Sequence, residues 1–113
     1  MDSDKAARNQ GLFRAVNERI RNLDYSNPHT EFVCECANPD CLERIQMHLD
    51  DYEEIRRVPT HFVIAPGKGH FFPDVERIFE THQGYWVVEK FGEAAVKVIR
   101  LAAQERARQA ELL

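Results

Sequence analysis

The chain has no long hydrophobic run and no cysteine outside one short segment, and both absences narrow what it can be. No apolar stretch in the 113 residues approaches the roughly 18 that a membrane-spanning helix requires. The first five residues are polar and acidic and lack the apolar core of a secretory signal, so we expect a cytosolic protein. In that reducing compartment, clustered cysteines bind metals more often than they form disulfides.

Several motifs that would identify an enzyme are also missing. The sequence has neither the His-Glu-x-x-His of a metalloprotease nor the paired His-x-Glu and Pro-Cys-x-x-Cys of a zinc deaminase. The segment 66–70 contains Lys68 between glycines, but it lacks the spacing and the Ser/Thr of a phosphate-binding loop. The net charge of −4 argues against a nucleic-acid partner, because such domains usually carry a basic surface.

Length and hydrophobic patterning predict a single domain over residues 1–113 with an α+β fold. Helical spacing of apolar residues predicts amphipathic helices at both ends, the first stopped by the segment before Pro28. The predicted elements are helices over 5–24, 50–57 and 93–113 and strands over 32–36, 42–49, 61–65, 75–81 and 85–90. The start of the strand over 75–81 could instead be a helical turn after Pro73. Together they predict a small, mostly antiparallel sheet over 31–90 with an N-terminal, a short middle and a C-terminal helix.

Two details of this assignment depend on local signals. Alternation of Ile45, Met47 and Leu49 with polar residues favours a strand over 42–49, although a helix beginning at Asn38 is the alternative. Asp50 has the spacing of an N-cap for the middle helix. The strand over 42–49 would form a hairpin with the strand over 32–36.

All three cysteines, Cys34, Cys36 and Cys41, lie within eight residues. In a strand, Cys34 and Cys36 would share one face with Glu35 on the other, and the turn after Asn38 would bring Cys41 back to them. Three thiolates supply three of the four ligands of tetrahedral zinc, and the fourth ligand must come from elsewhere. We therefore predict a zinc site of the Cys₃His type; zinc is favoured over an iron–sulfur cluster because there is no fourth cysteine.

His70 is the preferred fourth ligand, because Gly67 and Gly69 let its loop bend toward the cysteines. His29, five residues before Cys34, is the alternative. Asp40 is a further candidate, as an oxygen ligand. The other histidines have simpler roles than metal binding: a buried hydrogen-bonded side chain for His61, an exposed strand position for His48 and a turn for His82.

Simple hydrophobic packing of three cysteines is the main alternative to a metal site, but it fits poorly beside a polar Glu35 and an Asn-Pro-Asp turn. Glu35 itself is expected to face solvent or to cap a positive group rather than to act in catalysis. Phe71 and Phe72 either form an exposed binding patch in their loop or close over the edge of the sheet.

The chain resembles a group of small uncharacterised bacterial proteins with a Cys-Glu-Cys…Cys core and a Pro-Gly-His loop. The likeness covers roughly residues 12–90. The matching residues are Phe32-Val33-Cys34-Glu35-Cys36, Cys41, Tyr52-Glu53-x-x-Arg56, Phe62-Val63-x-x-Pro66-Gly67 with His70, and Tyr85-Trp86-Val87-Val88-Glu89-Lys90. Here Lys68 and Gly69 separate Gly67 from the histidine. The resemblance supports the fold and the site and implies no activity.

These observations favour a cytosolic zinc-stapled binding or regulatory module over an enzyme. The terminal helices or the Phe71-Phe72 loop would offer the surface for a protein partner, and no membrane partner is expected. A thiol-based redox or metal sensor is the first alternative. A zinc enzyme, which would need an open coordination position, is the second.

Overall fold

The computed structural model describes residues 3–23, 30–38 and 40–111, which form three helices and two antiparallel sheets. The elements are α1 (Ser3–Leu23), β1 (Thr30–Val33), β2 (Arg44–Met47), α2 (Leu49–Arg56), β3 (His61–Ile64), β4 (Glu76–His82), β5 (Tyr85–Lys90) and α3 (Gly92–Glu111). The predicted α+β class and the order of its elements are confirmed. The segment 24–28, predicted to stop α1, lies outside the described residues.

The strands form two sheets rather than the single sheet expected. β1 and β2 make a hairpin in which Phe32 lies opposite Ile45, so the strand interpretation of the segment after the turn is confirmed. The second sheet has the order β3-β5-β4, with all its pairs antiparallel. In β4 the register shifts between Ile78 and Glu80, which leaves Phe79 as an extra residue in a β-bulge.

The first predicted strand is too long, because β1 ends at Val33 and the segment 34–36 leaves the hairpin. This segment joins the other sheet instead: the backbone N–H of Glu35 donates to the carbonyl of Val63 at 2.8 Å. The N–H of Cys34 still donates to the carbonyl of Glu43 at 3.0 Å. The cysteine-bearing segment therefore lies at the seam between the two sheets.

Two further boundaries differ from the prediction. The N-cap of α2 is His48 rather than Asp50, because the extended backbone of His48 lets its Nδ1 accept the N–H of Asp50 at 3.1 Å. The strand predicted from residue 75 begins at Glu76, and His82, expected in a turn, is the last residue of β4. Gly84, with a positive φ of 94°, supplies the turn into β5.

The main hydrophobic core joins both sheets and α2. Its largest buried rings are Phe32 and Tyr52, stacked with centroids 4.2 Å apart, and Phe62 from β3. Phe71 and Phe72 are half-buried and pack against core residues, so of the two interpretations of their loop the structure favours closure over the sheet. Among the described residues, no helix has both the length and the apolar character that crossing a membrane would require.

Candidate metal centre

Four side chains that the sequence predicts as metal ligands converge in the structure. One ligand atom from each of Cys34, Cys36, Cys41 and His70 lies within 4.8 Å of all the others. Nδ1 of His70 is 3.6 Å from Sγ of Cys34 and 3.5 Å from Sγ of Cys41. Zinc bonds of about 2.3 Å to sulfur and about 2.0 Å to nitrogen, at a tetrahedral angle, place sulfur and nitrogen roughly 3.5 Å apart. The two sulfur–nitrogen distances are therefore compatible with a tetrahedral metal site.

Cys34 and Cys36 reach the cluster because their segment runs beside β3, where the N–H of Glu35 donates to the carbonyl of Val63. Alternate residues of an extended chain point the same way, so both thiols lie on one side and the Glu35 side chain on the other. The N–H of Ala65 donates to Sγ of Cys34 at 3.2 Å. Such a hydrogen bond stabilises a thiolate, the form that binds metal. Both cysteines are buried.

Cys41 returns to the cluster through a turn organised by Asn38. The side-chain oxygen of Asn38 accepts the N–H of Asp40 at 3.0 Å, and its backbone carbonyl accepts the N–H of Cys41 at 3.2 Å. An asparagine that bonds the backbone two residues on is a common device for reversing the chain. The predicted turn is thus confirmed at these residues, and Cys41 is the most accessible of the three thiols.

His70 enters from the loop after β3, and one glycine makes that approach possible. Gly67 has a φ of 121°, a conformation that residues with a Cβ rarely adopt, and its carbonyl accepts the N–H of His70 at 3.3 Å. Gly69, predicted to share this role, has no positive φ. The bend toward the cysteines therefore depends on Gly67 alone of the two.

The three free thiols share their protons unequally. Hydrogen bonding from Cys34, and further from His70, lowers the pKa of Cys36 to about 5. The same contact with Cys36, together with burial, raises the pKa of Cys34. Burial raises the pKa of Cys41. The hydrogen bonds among the thiols and His70 therefore favour one thiolate within the cluster.

Of the two roles expected for Glu35, facing solvent is wrong. The residue has 0% exposure. Its carboxylate accepts hydrogen bonds from the Tyr52 hydroxyl at 2.8 Å, the Asn17 amide at 3.0 Å and the Val63 N–H at 3.0 Å. Nη2 of Arg14 lies 3.5 Å from it, which agrees with the predicted capping of a positive group. A buried carboxylate needs such partners to remain charged.

One residue of α1, Asn17, indicates this hydrogen-bond network in the sequence. Asn17 follows Phe13 by four residues and precedes Ile20 by three, so it falls within the apolar stripe of α1. A polar side chain on the buried face of a helix requires a polar partner inside the protein. Glu35, whose side chain points away from the thiols, is a suitable partner for Asn17.

The other candidate donors that the structure describes lie away from the cluster. His61 is buried and its Nε2 is 2.9 Å from a Glu89 carboxylate oxygen, which confirms its predicted role as a hydrogen-bonded core histidine. His48 is exposed, as predicted. His82 pairs with Glu80 at 2.7 Å on the exposed face of β4. Asp40 is exposed and outside the ligand group, whereas His29 lies outside the described residues.

A second buried polar group lies in the β4–β5 hairpin, and the sequence analysis missed it. Lys90 Nζ forms an ion pair with Oε1 of Glu76, which also accepts the Gln10 amide of α1 at 3.1 Å. The other Glu76 oxygen accepts the N–H of Phe72 at 3.1 Å. Burial lowers the pKa of Lys90 although the carboxylate opposes that shift. Through Gln10, this group connects α1 to the second sheet. Its residues are far in sequence from the three cysteines.

Comparison with known proteins gives no relative for the chain: no family model, curated protein or solved structure matches it. The resemblance to small bacterial proteins with a Cys-Glu-Cys core therefore stays a prediction.

Proposed function

We propose that this chain is a cytosolic zinc-binding module in which Cys34, Cys36, Cys41 and His70 hold one Zn²⁺ ion. The observation that carries the proposal is the convergence of three sulfurs and one imidazole nitrogen, each within 4.8 Å of the others. The ligand types favour zinc, since soft thiolates and imidazole select it over magnesium or calcium, which prefer oxygen.

The role of the ion in this proposal is structural. Four protein ligands complete a tetrahedral zinc, which leaves no position for a reactive water. The ligands also come from three separate stretches of chain: the segment after β1, the turn at Cys41 and the loop after β3. One ion therefore fastens the hairpin β1–β2 to the second sheet and adds folding free energy to a small domain.

The module would act through a protein partner, and the terminal helices supply the surface. Several large apolar side chains of α1 and α3 are exposed, among them Leu12 at 62% and Val96 at 55%. α1 and α3 contact each other, and Leu101 lies 3.9 Å from the position a side chain would take at Gly11. The Phe71-Phe72 loop is a weaker candidate, since both rings pack against the core.

The proposal is tested by metal analysis of the full chain purified under reducing conditions with Zn²⁺. We expect one zinc per chain that survives gel filtration, and its loss in Cys41→Ser and His70→Ala. His48→Ala is the matched control, because His48 is an exposed histidine outside the ligand group and should leave the zinc content unchanged. Folded wild-type chain with three titratable thiols and no metal would overturn the proposal.

A thiol-based redox sensor is the second candidate, and the low pKa of Cys36, about 5, favours it. In that reaction the Cys36 thiolate attacks a peroxide and becomes a sulfenic acid as one oxygen leaves as water. A neighbouring thiol then displaces a second water and forms a disulfide, which would release the metal. Peroxide treatment followed by thiol counting tests this function. Oxidation that leaves both the metal and the fold unchanged would contradict it.

A further inference from the structure

Glu35 connects the proposed metal site to helix α1. The residue lies between two ligands, Cys34 and Cys36, in a segment whose alternate side chains point to opposite sides. Two of its neighbours across that segment belong to α1: Nδ2 of Asn17 donates to Oε2 at 3.0 Å, and Arg14 forms the ion pair with Oε1. The thiols and the helix thus use opposite sides of the same three residues.

Asn17 binds the chain on both sides of the first ligand. Besides the Glu35 carboxylate, its side chain pairs with both backbone groups of Val33, donating to the carbonyl at 2.9 Å and accepting the N–H at 2.8 Å. Val33 and Glu35 flank Cys34 in the sequence. A shift of the segment 33–35 relative to α1 would therefore change these three hydrogen bonds of Asn17.

We propose that occupancy of the metal site sets how firmly α1 docks on the sheets, with Glu35 and Asn17 as the connecting residues. The inference rests on the proposed zinc site. With metal, the ligand bonds of Cys34 and Cys36 would fix the backbone on both sides of Glu35 and present a rigid carboxylate to α1. Without it, the thiols keep weak hydrogen bonds to His70, to the Ala65 N–H and to the Asn38 carbonyl, and the segment has more conformations available.

This coupling would reach the surface proposed for partner binding. α1 carries the exposed side chains of Leu12 and Val16 and packs against α3. Metal loss would loosen this helix and change the combined surface of α1 and α3. The two states required for coupling are thus a metal-loaded form with α1 docked and a metal-free form in which α1 opens more often.

Hydrogen–deuterium exchange of the full chain, zinc-loaded and after chelation in reductant, tests the proposal directly. We expect the protection of residues 10–21 to fall by about tenfold or more on zinc removal. Residues 80–88 of the β4–β5 hairpin, away from the contact of Glu76 with Gln10, serve as an internal reference and should lose clearly less protection. Equal losses in both regions would overturn the inference, because the ion would then support the whole fold without selective coupling to α1.

Reciprocity supplies a second test, because a helix stabilised by zinc must itself strengthen zinc binding by the same factor. Asn17→Ala removes the link without touching a ligand and should weaken zinc affinity by about fivefold or more in competition with a chelating dye. Val87→Ala, a buried truncation in β5, is the control for general destabilisation and should leave the affinity within about twofold of wild type.

The two proposals fail in different ways. Absence of stoichiometric zinc from the wild-type chain refutes the metal site itself. Normal zinc content with unchanged α1 protection, or with an Asn17→Ala affinity equal to that of Val87→Ala, refutes only the coupling.

Discussion

Tyr52 donates its hydroxyl proton to Oε2 of Glu35 at 2.8 Å, and both side chains are fully buried. Burial raises the pKa of Tyr52, and the negative charge of Glu35 raises it further. The hydroxyl therefore stays protonated in the fold at a pH where a tyrosine in the unfolded chain has ionised. The contribution of the pair to stability is therefore complete below the pKa of an unfolded tyrosine and is lost as the pH rises above it.

Tyr52→Phe should show that dependence. Below pH about 10, where tyrosine is neutral in both states, the variant loses about 2 kcal/mol of unfolding free energy with the hydrogen bond. Above that pH the unfolded wild type ionises while folded Tyr52 does not, so its stability falls by about 1.4 kcal/mol per pH unit. Phenylalanine does not ionise, so the stability of the variant should fall less steeply with pH. Urea unfolding from pH 8 to 11 measures both effects, and identical slopes would contradict the pKa direction.

Glu35→Gln should destabilise the protein by about 3 kcal/mol, because it leaves the partly buried Arg14 without its charged partner and turns an amide N–H₂ toward other donors. Glu31→Gln is the matched control, since Glu31 is exposed on β1 and the same charge change there should cost under about 0.5 kcal/mol. Chemical denaturation of both variants makes the comparison. Equal unfolding free energies of Glu35→Gln and Glu31→Gln would show that the charge of the buried carboxylate does not stabilise the fold.

The Lys90–Glu76 pair should show strong non-additivity. Lys90→Met leaves the buried Glu76 carboxylate without its positive partner and should cost about 3 kcal/mol or more. Adding Glu76→Gln removes the orphaned charge and should recover a large part of that loss, because the amide oxygen can still accept from Phe72 or Gln10. Unfolding free energies of the two singles and the double complete the cycle. Simple additivity would refute a direct pair.

Gly67→Ala and Gly69→Ala should differ although they are two residues apart in one loop. A Cβ at Gly67 is strained by the φ of 121°, so the turn should shift and carry His70 away from the sulfurs. Gly69 has no positive φ and nothing within 4 Å of an added Cβ, so that variant should bind zinc normally. Zinc affinity measured by dye competition separates them, and equal affinities would show that the loop adapts freely.

The order of elements and three of the proposed ligands could be predicted from the sequence because they follow from local signals. Periodicity fixed the class of each long element, and the cysteine spacing with its turn brought Cys41 to its partners. The end of β1 could not be predicted, since residues 34–36 exchange a hairpin partner for β3. That exchange is a tertiary contact with Val63, distant in sequence and unmarked by any local pattern.

The burial of Glu35 illustrates the same limit. A glutamate in an isolated strand is expected on the solvent side, and only the packing of α1 and α2 onto that side surrounds it with donors. His70, in contrast, was predicted because the loop glycine that permits its approach is visible in the sequence. Residues with a local signal could be predicted, whereas the burial of Glu35, which depends on α1 and α2 packing on one side of its segment, could not.

The bulge at Phe79 bears on how copies of this protein behave together. Among the described strands, β4 pairs on one side only, and a long unpaired strand edge can template pairing with another chain. The extra residue interrupts the regular ladder of N–H and C=O groups and increases the local twist. A neighbouring chain would therefore find no regular ladder of seven residues along β4, which disfavours edge-to-edge pairing of copies at that strand.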